Sequence, residues 1–89
     1  MRDVVILFAL LMEEKLGAND HKRHWSSFTV EYLLRRLRQE VGELERAVSE
    51  GQSPPDIGRE AADVANFAMM VADLAGGLPR IVSGQEESS

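Results

Sequence analysis

The sequence predicts an all-α fold, a helical bundle of about three main helices that oligomerisation completes. Apolar residues recur at helical spacing, and no segment alternates apolar and polar residues as a half-buried strand does. Breaks that contain glycine or proline separate three long segments. The chain has 89 residues, which is enough for a single domain. We therefore expect one helical domain over residues 1–78 and a flexible tail over residues 79–89.

The first helix is expected over residues 3–16, with Asp3 as its N-cap and Gly17 directly after its end. Residues 4–12 are apolar all round, so this helix is expected to be buried on more than one side. These nine residues are too few for a membrane span, which needs about 20. No small-residue cleavage site follows them. We therefore expect a cytoplasmic protein that does not bind a membrane.

A polar connection over residues 17–28 is expected to lead to a second helix over residues 29–50. Long connections in compact domains tend to be functional or disordered. The second helix carries an apolar stripe at helical spacing, and Gly51 ends it. The stripe consists of Val30, Leu33, Leu34, Leu37, Val41, Leu44 and Val48.

A third helix is expected over residues 54–74, with Ser53 as its N-cap and Pro54 at its first position. Residues 61–75 are nearly all apolar, so this helix should be central and covered on most sides. The first and third helices together carry more apolar surface than one small monomer can cover. We therefore predict a homodimer or a homotetramer.

The composition excludes several classes of protein. The chain has no cysteine, which excludes a disulfide framework and a zinc-thiolate site. Its formal net charge is −5, whereas general binding to a nucleic acid polymer needs a basic surface. His21 and His24 lie in the connection without the carboxylate neighbours of a zinc site.

Two pairs of acids form the candidate site. Glu40 and Glu43 are three residues apart on the second helix. Glu60 and Asp63 are three apart on the third helix, where Arg59 is the nearest basic residue. Residues at this spacing share one side of a helix, so packing the two helices together would bring the four acids together.

Such a group of acids favours a metal site. A single pair on a helix is usually a solvated surface, but here the second pair lies within an apolar run. Buried unpaired carboxylates are costly, so a divalent cation is expected to neutralise them. Ligation by oxygen alone suits Mg²⁺, Mn²⁺ or Ca²⁺.

Residues 39–44 (QEVGEL) and 59–64 (REAADV) resemble the paired motifs EExxE and ExxD of the MazG-like all-α nucleoside triphosphate pyrophosphohydrolases. The resemblance covers roughly residues 19–75 and is strongest to the small, stand-alone and phage-type branch. It implies that the chain hydrolyses a (deoxy)nucleoside triphosphate at the α–β bond, giving monophosphate and pyrophosphate. The resemblance also implies that Mg²⁺, or Mn²⁺ in its place, is the cofactor.

By this resemblance four acids are expected to hold the metal and to act in catalysis: Glu40, Glu43, Glu60 and Asp63. Gln39 departs from the pattern, because the family often has a glutamate there. That departure puts in doubt a general-base or outer-sphere role at this position. The chain after Leu78 also offers little of the fourth helix that is common in the family.

Four more residues are candidates for substrate binding. Trp25 could stack on a nucleobase or fill the end of the bundle. Lys22 and Arg36 could reach phosphates or remain solvated. Asn66 lies one turn after the ExxD motif in an apolar helix, where a buried amide needs hydrogen-bond partners. It could bind a base, a sugar hydroxyl or a metal-bound water, or it could bond to a neighbouring helix.

An alternative function is a non-catalytic helical homo-oligomer that serves as an interaction module. Its acids would be structural, or would bind metal only for stability. Asp63 argues against this alternative, because a helix that only packs has no reason to carry Glu60 and Asp63 on its inward face.

Overall fold

The structure, a computed structural model, describes residues 1–20 and 23–79. This part of the chain is all-helical, which confirms the predicted fold class of three main helices without strands. The elements are α1 (Asp3–Gly17), a short 3₁₀ helix (Trp25–Ser27), α2 (Val30–Ser49) and α3 (Pro54–Leu74). Nearly all of the expected tail, residues 80–89, lies outside the described residues.

Side-chain caps begin α2 and α3, and the cap at Ser53 was predicted, whereas Thr29 was expected to be the first residue of its helix and is the N-cap instead. The hydroxyl of Thr29 accepts a hydrogen bond from the backbone N–H of Tyr32 at 3.0 Å. The hydroxyl of Ser53 accepts one from the backbone N–H of Asp56 at 3.2 Å. Gly51 has a φ of 69°, a left-handed conformation that lets the chain leave α2.

The ends of α1 differ slightly from the prediction. Arg2 is the N-cap, without a side-chain capping bond, and Asp3 is the first helical residue. Its negative charge there still suits the positive end of the helix dipole. Gly17 belongs to the helix instead of following it. The side chain of Asn19 donates to the carbonyl of Lys15 at 3.0 Å and so satisfies one of the last carbonyls.

The helix α3 is central, as predicted, because it contacts α1, α2 and the 3₁₀ helix. Only residues 50–53 connect α2 to α3, so these two helices form an antiparallel hairpin. Within residues 1–20 and 23–79, the buried apolar side chains belong to α2 and α3 and are Leu33, Ala47 and Ala62.

The prediction that α1 is buried on more than one side does not hold within a single chain. No residue of α1 is buried, and Val4, Leu7 and Leu10 are 68%, 66% and 62% exposed. The reason is that α1 packs on α3 alone among the helices described. Within the described residues no helix combines the length and hydropathy that crossing a bilayer requires.

Candidate functional site

Three of the four predicted acids converge between α2 and α3. One carboxylate oxygen from each of Glu40, Glu60 and Asp63 lies within 4.8 Å of the other two. Helical spacing explains two of these three acids, since Glu60 and Asp63 are one turn apart on α3. The antiparallel hairpin supplies the third, because it places Glu40 of α2 opposite them.

Glu43 does not join this group, and its side chain is exposed. It lies one turn beyond Glu40 on α2, and its negative charge raises the pKa of the Glu40 carboxyl. The structure therefore brings three of the predicted acids together and leaves the fourth outside the group.

Glu40 is the most buried acid of the group, with 7% of its surface exposed. Burial raises the pKa of its carboxyl above the ordinary value of 4.5, and the charges of Glu43 and Asp63 raise it further. Arg36 opposes these effects, since its Nη2 lies 3.2 Å from Glu40 Oε2. The net direction of the pKa is upward, because burial and the neighbouring acids together outweigh the pairing with Arg36.

Glu60 gives a second indication that the group suits a cation. Among the described residues, its Oε1 atom is buried and has no hydrogen-bond partner. A buried acceptor without a partner costs roughly 1–3 kcal/mol, and more when it is charged. The only donor atoms of the group are carboxylate oxygens, which fit hard cations such as Mg²⁺ and Mn²⁺.

Among the residues that the structure describes, two basic side chains contact the group of acids. Lys15, on α1, places Nζ 3.3 Å from Asp63 Oδ2. Arg36 contacts Glu40, donates to the side-chain oxygen of Gln39 and lies over the ring of Phe67, 4.9 Å from its centroid.

Arg59 does not neutralise these acids, although it is the basic residue nearest to them along α3. Its guanidinium pairs with Asp56 at 2.9 Å on the exposed side of the helix. Lys15 supplies a positive charge to the acids instead, and the sequence analysis did not single out this lysine. No spacing along the first helix indicates that this lysine reaches an acid on the third.

A cavity of about 490 Å³ adjoins the acids and shares Glu40 and Asp63 with them. This volume lies in the range of small-molecule sites, which is about 300–1,000 Å³. Of the described residues, three with basic side chains also line the cavity: Lys15, Arg23 and Arg36. Its aromatic lining consists of His24, Trp25, Phe28, Tyr32 and Phe67.

Trp25 lines the cavity and is also held by a long-range bond. Its Nε1 donates to Asp73 Oδ2 at 2.9 Å, and its ring stacks on His24 with centroids 4.1 Å apart. Asp73 follows Asp63 by ten residues on α3, which corresponds to about 15 Å along the helix. The tryptophan is therefore anchored about three helical turns from the acids.

Asn66 is 4% exposed and lines the same cavity. Its Nδ2 donates to the backbone carbonyl of Met12 at 3.1 Å. The amino group of the amide therefore bonds to a neighbouring helix, which is one of the alternatives that the sequence left open. Its Oδ1 is buried without a partner among the described residues. Of the predicted substrate-binding residues, Lys22 lies outside the described residues.

The sequence reasoning did not single out Tyr32 and Phe67 as cavity residues. Both lie four residues from a predicted site residue, Tyr32 before Arg36 and Phe67 after Asp63. Helical spacing outward from the predicted site residues could therefore have found them.

The fold and these side chains define a small helical protein with an acidic candidate metal centre beside a cavity of small-molecule size. No protein-family model, curated protein or solved structure matches the chain.

Proposed function

We propose that the protein is a Mg²⁺-dependent nucleoside triphosphate pyrophosphohydrolase of the MazG-like type. It would cleave the α–β bond of a (deoxy)nucleoside triphosphate and release the monophosphate and pyrophosphate. One observation carries the proposal: the acids Glu40, Glu60 and Asp63 meet beside a cavity that is lined by both aromatic and basic side chains.

The acids are the expected ligands of the metal. Glu40, Glu60 and Asp63 would hold it, and Glu43 lies one helical turn from Glu40. Bound Mg²⁺, or Mn²⁺, supplies counter-charge to phosphate oxygens and lowers the pKa of a bound water. The carboxylates would also orient the attacking water, because they are the hydrogen-bond acceptors nearest to the metal.

The remaining lining suits the rest of a nucleotide. Lys15 and Arg36 lie beside the acids, where the phosphates would be, and both can form charge-assisted hydrogen bonds. Trp25 is anchored about 15 Å along α3 from Asp63. An extended nucleotide with its phosphates at the acids would bring its base toward this ring, and stacking is worth about 1–3 kcal/mol per base.

The exposed surface of α1 supports the predicted homodimer or homotetramer. Val4, Leu7 and Leu10 are each more than 60% exposed on one helix. A contiguous apolar surface of this kind marks an interaction site more often than a solvated face.

The direct test is pyrophosphate release by the purified protein with Mg²⁺, across all common NTPs and dNTPs. Losing an outer-sphere partner of a metal costs up to about 100-fold in activity. Asp63 is a proposed direct ligand, so Asp63→Asn should lower release by at least that factor. Asp56→Asn is the matched control, because it removes an acid on the same helix that pairs with Arg59 outside the group. Chromatography of the products distinguishes the α–β bond, which yields a monophosphate, from the β–γ bond, which yields a diphosphate.

The alternative, a non-catalytic homo-oligomer, is supported by the same exposed surface of α1. Its metal-stabilised form predicts a higher melting temperature with Mg²⁺ but no release from any nucleotide. Its purely structural form predicts no release and no effect of Mg²⁺ on the melting temperature. That combination in a folded wild-type protein would reject the pyrophosphohydrolase.

A further inference from the structure

Lys15 contacts the acidic group from outside the hairpin that carries the acids. It belongs to α1, whereas the acids lie on α2 and α3. Its Nζ lies 3.3 Å from Asp63 Oδ2, and both side chains are about one quarter exposed, at 27% and 26%. The lysine also lines the cavity. The ammonium group therefore lies between a candidate metal ligand and the space for a substrate.

The backbone near Lys15 is held by a part-buried hydrogen bond between α1 and α3. Met12 lies about one helical turn before Lys15, and its carbonyl accepts a hydrogen bond from Asn66. Asn66 is 4% exposed and lies one turn after Asp63 on α3. The hydrogen bond from Asn66 to Met12 and the ion pair of Asp63 with Lys15 therefore join adjacent turns of α1 and α3. The position of Lys15 beside Asp63 is therefore a consequence of helix packing.

The other basic residue of the group is held more firmly. The guanidinium of Arg36 contacts Glu40 and Gln39 and lies over the ring of Phe67. A planar guanidinium with several contacts has little freedom to turn away. An ammonium on a flexible four-carbon chain can turn toward a new partner while its backbone stays in place.

We infer that Lys15 is an exchangeable cation of this site: it neutralises Asp63 until a divalent cation takes that carboxylate, and it then binds a phosphate group of the substrate. This inference rests on the proposed function for the identity of the substrate. Like charges around one carboxylate repel, so a divalent cation on Asp63 disfavours the ammonium there. A triphosphate in the cavity offers the ammonium an oxyanion in exchange.

The test compares Lys15→Gln with the wild-type protein by isothermal titration calorimetry in two experiments. In the first, Mg²⁺ is added without nucleotide, and the variant should bind it about two- to fivefold more tightly because no ammonium competes. In the second, a triphosphate is added at saturating Mg²⁺, and the variant should bind it about tenfold more weakly or worse. The probes are inorganic triphosphate and the α,β-methylene analogue of the best substrate.

Two control variants separate exchange from a general loss of charge. Lys15→Arg keeps the charge and should restore the affinity for triphosphate to within about threefold of wild type. Arg59→Gln removes an exposed ion pair with Asp56 on α3 and should change neither affinity. If the ion pair of Lys15 is purely structural, Lys15→Gln should lower the melting temperature without changing the two affinities in opposite directions.

Unchanged or weaker binding of Mg²⁺ by Lys15→Gln would overturn the exchange, and so would unchanged binding of triphosphate. Failure of the proposed function gives a different result. A wild-type protein that binds Mg²⁺ and triphosphate with these opposite effects, but hydrolyses no nucleotide, would retain the exchange and lose the activity. A wild-type protein that binds neither Mg²⁺ nor triphosphate would reject both.

Discussion

The indole Nε1 of Trp25 donates a hydrogen bond of 2.9 Å to the carboxylate of Asp73, 48 residues later in the chain. This bond joins the connection before α2 to the last turn of α3. It also holds one aromatic wall of the cavity in place, because Trp25 is among the lining residues.

Replacing Trp25 should separate its two roles. Trp25→Phe keeps a ring but loses the bond to Asp73, which should cost about 0.5–1.5 kcal/mol of unfolding free energy. For a domain of this size each kcal/mol corresponds to roughly 4–8 °C in melting temperature. Trp25→Ala should also raise the KM for nucleotide about tenfold, since one stacked base is worth about 1–3 kcal/mol. An unchanged KM in Trp25→Ala would exclude stacking.

Mg²⁺ should stabilise the protein through the three acids. At 100 times its Kd, a cation that binds only the folded state adds about 2.7 kcal/mol, which should raise the melting temperature by about 10 °C or more. Asp63→Asn should abolish this increase, and Asp56→Asn should retain it. Equal increases in both variants, measured by differential scanning fluorimetry, would place the metal elsewhere.

Glu40 should make stability without added Mg²⁺ depend on pH. Its pKa is raised, so the folded protein keeps this proton at pH values where the unfolded chain has lost it. Its contribution therefore stabilises the fold at low pH and is lost as the pH rises from 4.5 through the raised pKa. Glu40→Gln removes this contribution, so the stability of wild type relative to the variant should fall across that window. Thermal melts of both proteins from pH 4 to 8 measure the difference, and a constant difference would contradict the raised pKa.

Two glycines of the hairpin should respond oppositely to alanine. Gly42 is helical and has no atom within 4 Å of the place where a Cβ would be. Gly42→Ala should therefore stabilise the protein by up to about 1 kcal/mol. Gly51 has a φ of 69°, which L side chains rarely adopt, so Gly51→Ala should destabilise it by about 1 kcal/mol. Chemical denaturation measures the unfolding free energy of each variant relative to wild type. A change in the same direction for both variants would contradict one of the two predictions.

The exposed surface of α1 should control self-association. Leu7 is 66% exposed, so Leu7→Glu places a charge inside the expected interface and should convert the predicted dimer or tetramer to a monomer. Val48→Glu is the matched control on α2, since Val48 is 57% exposed there. Sedimentation velocity measures the mass of each. Loss of association only in Val48→Glu would move the interface to α2.

Local sequence was sufficient to predict the helices of the hairpin and the pairing of the acids. Thr29 and Ser53 cap their helices with their own hydroxyl groups, and Gly51 ends α2 through a conformation that glycine favours. These interactions span only a few residues. Helical spacing likewise places Glu60 and Asp63 on one side of α3, whatever that helix packs against.

Tertiary packing determined what completes the site. Lys15 reaches Asp63, and Trp25 reaches Asp73, only because distant segments pack on α3. Packing also left Glu43 outside the group of acids. Periodicity shows which residues share a face of one helix. The contacts between faces depend on which helices meet and on how far each side chain extends, and these follow from burial of the whole chain.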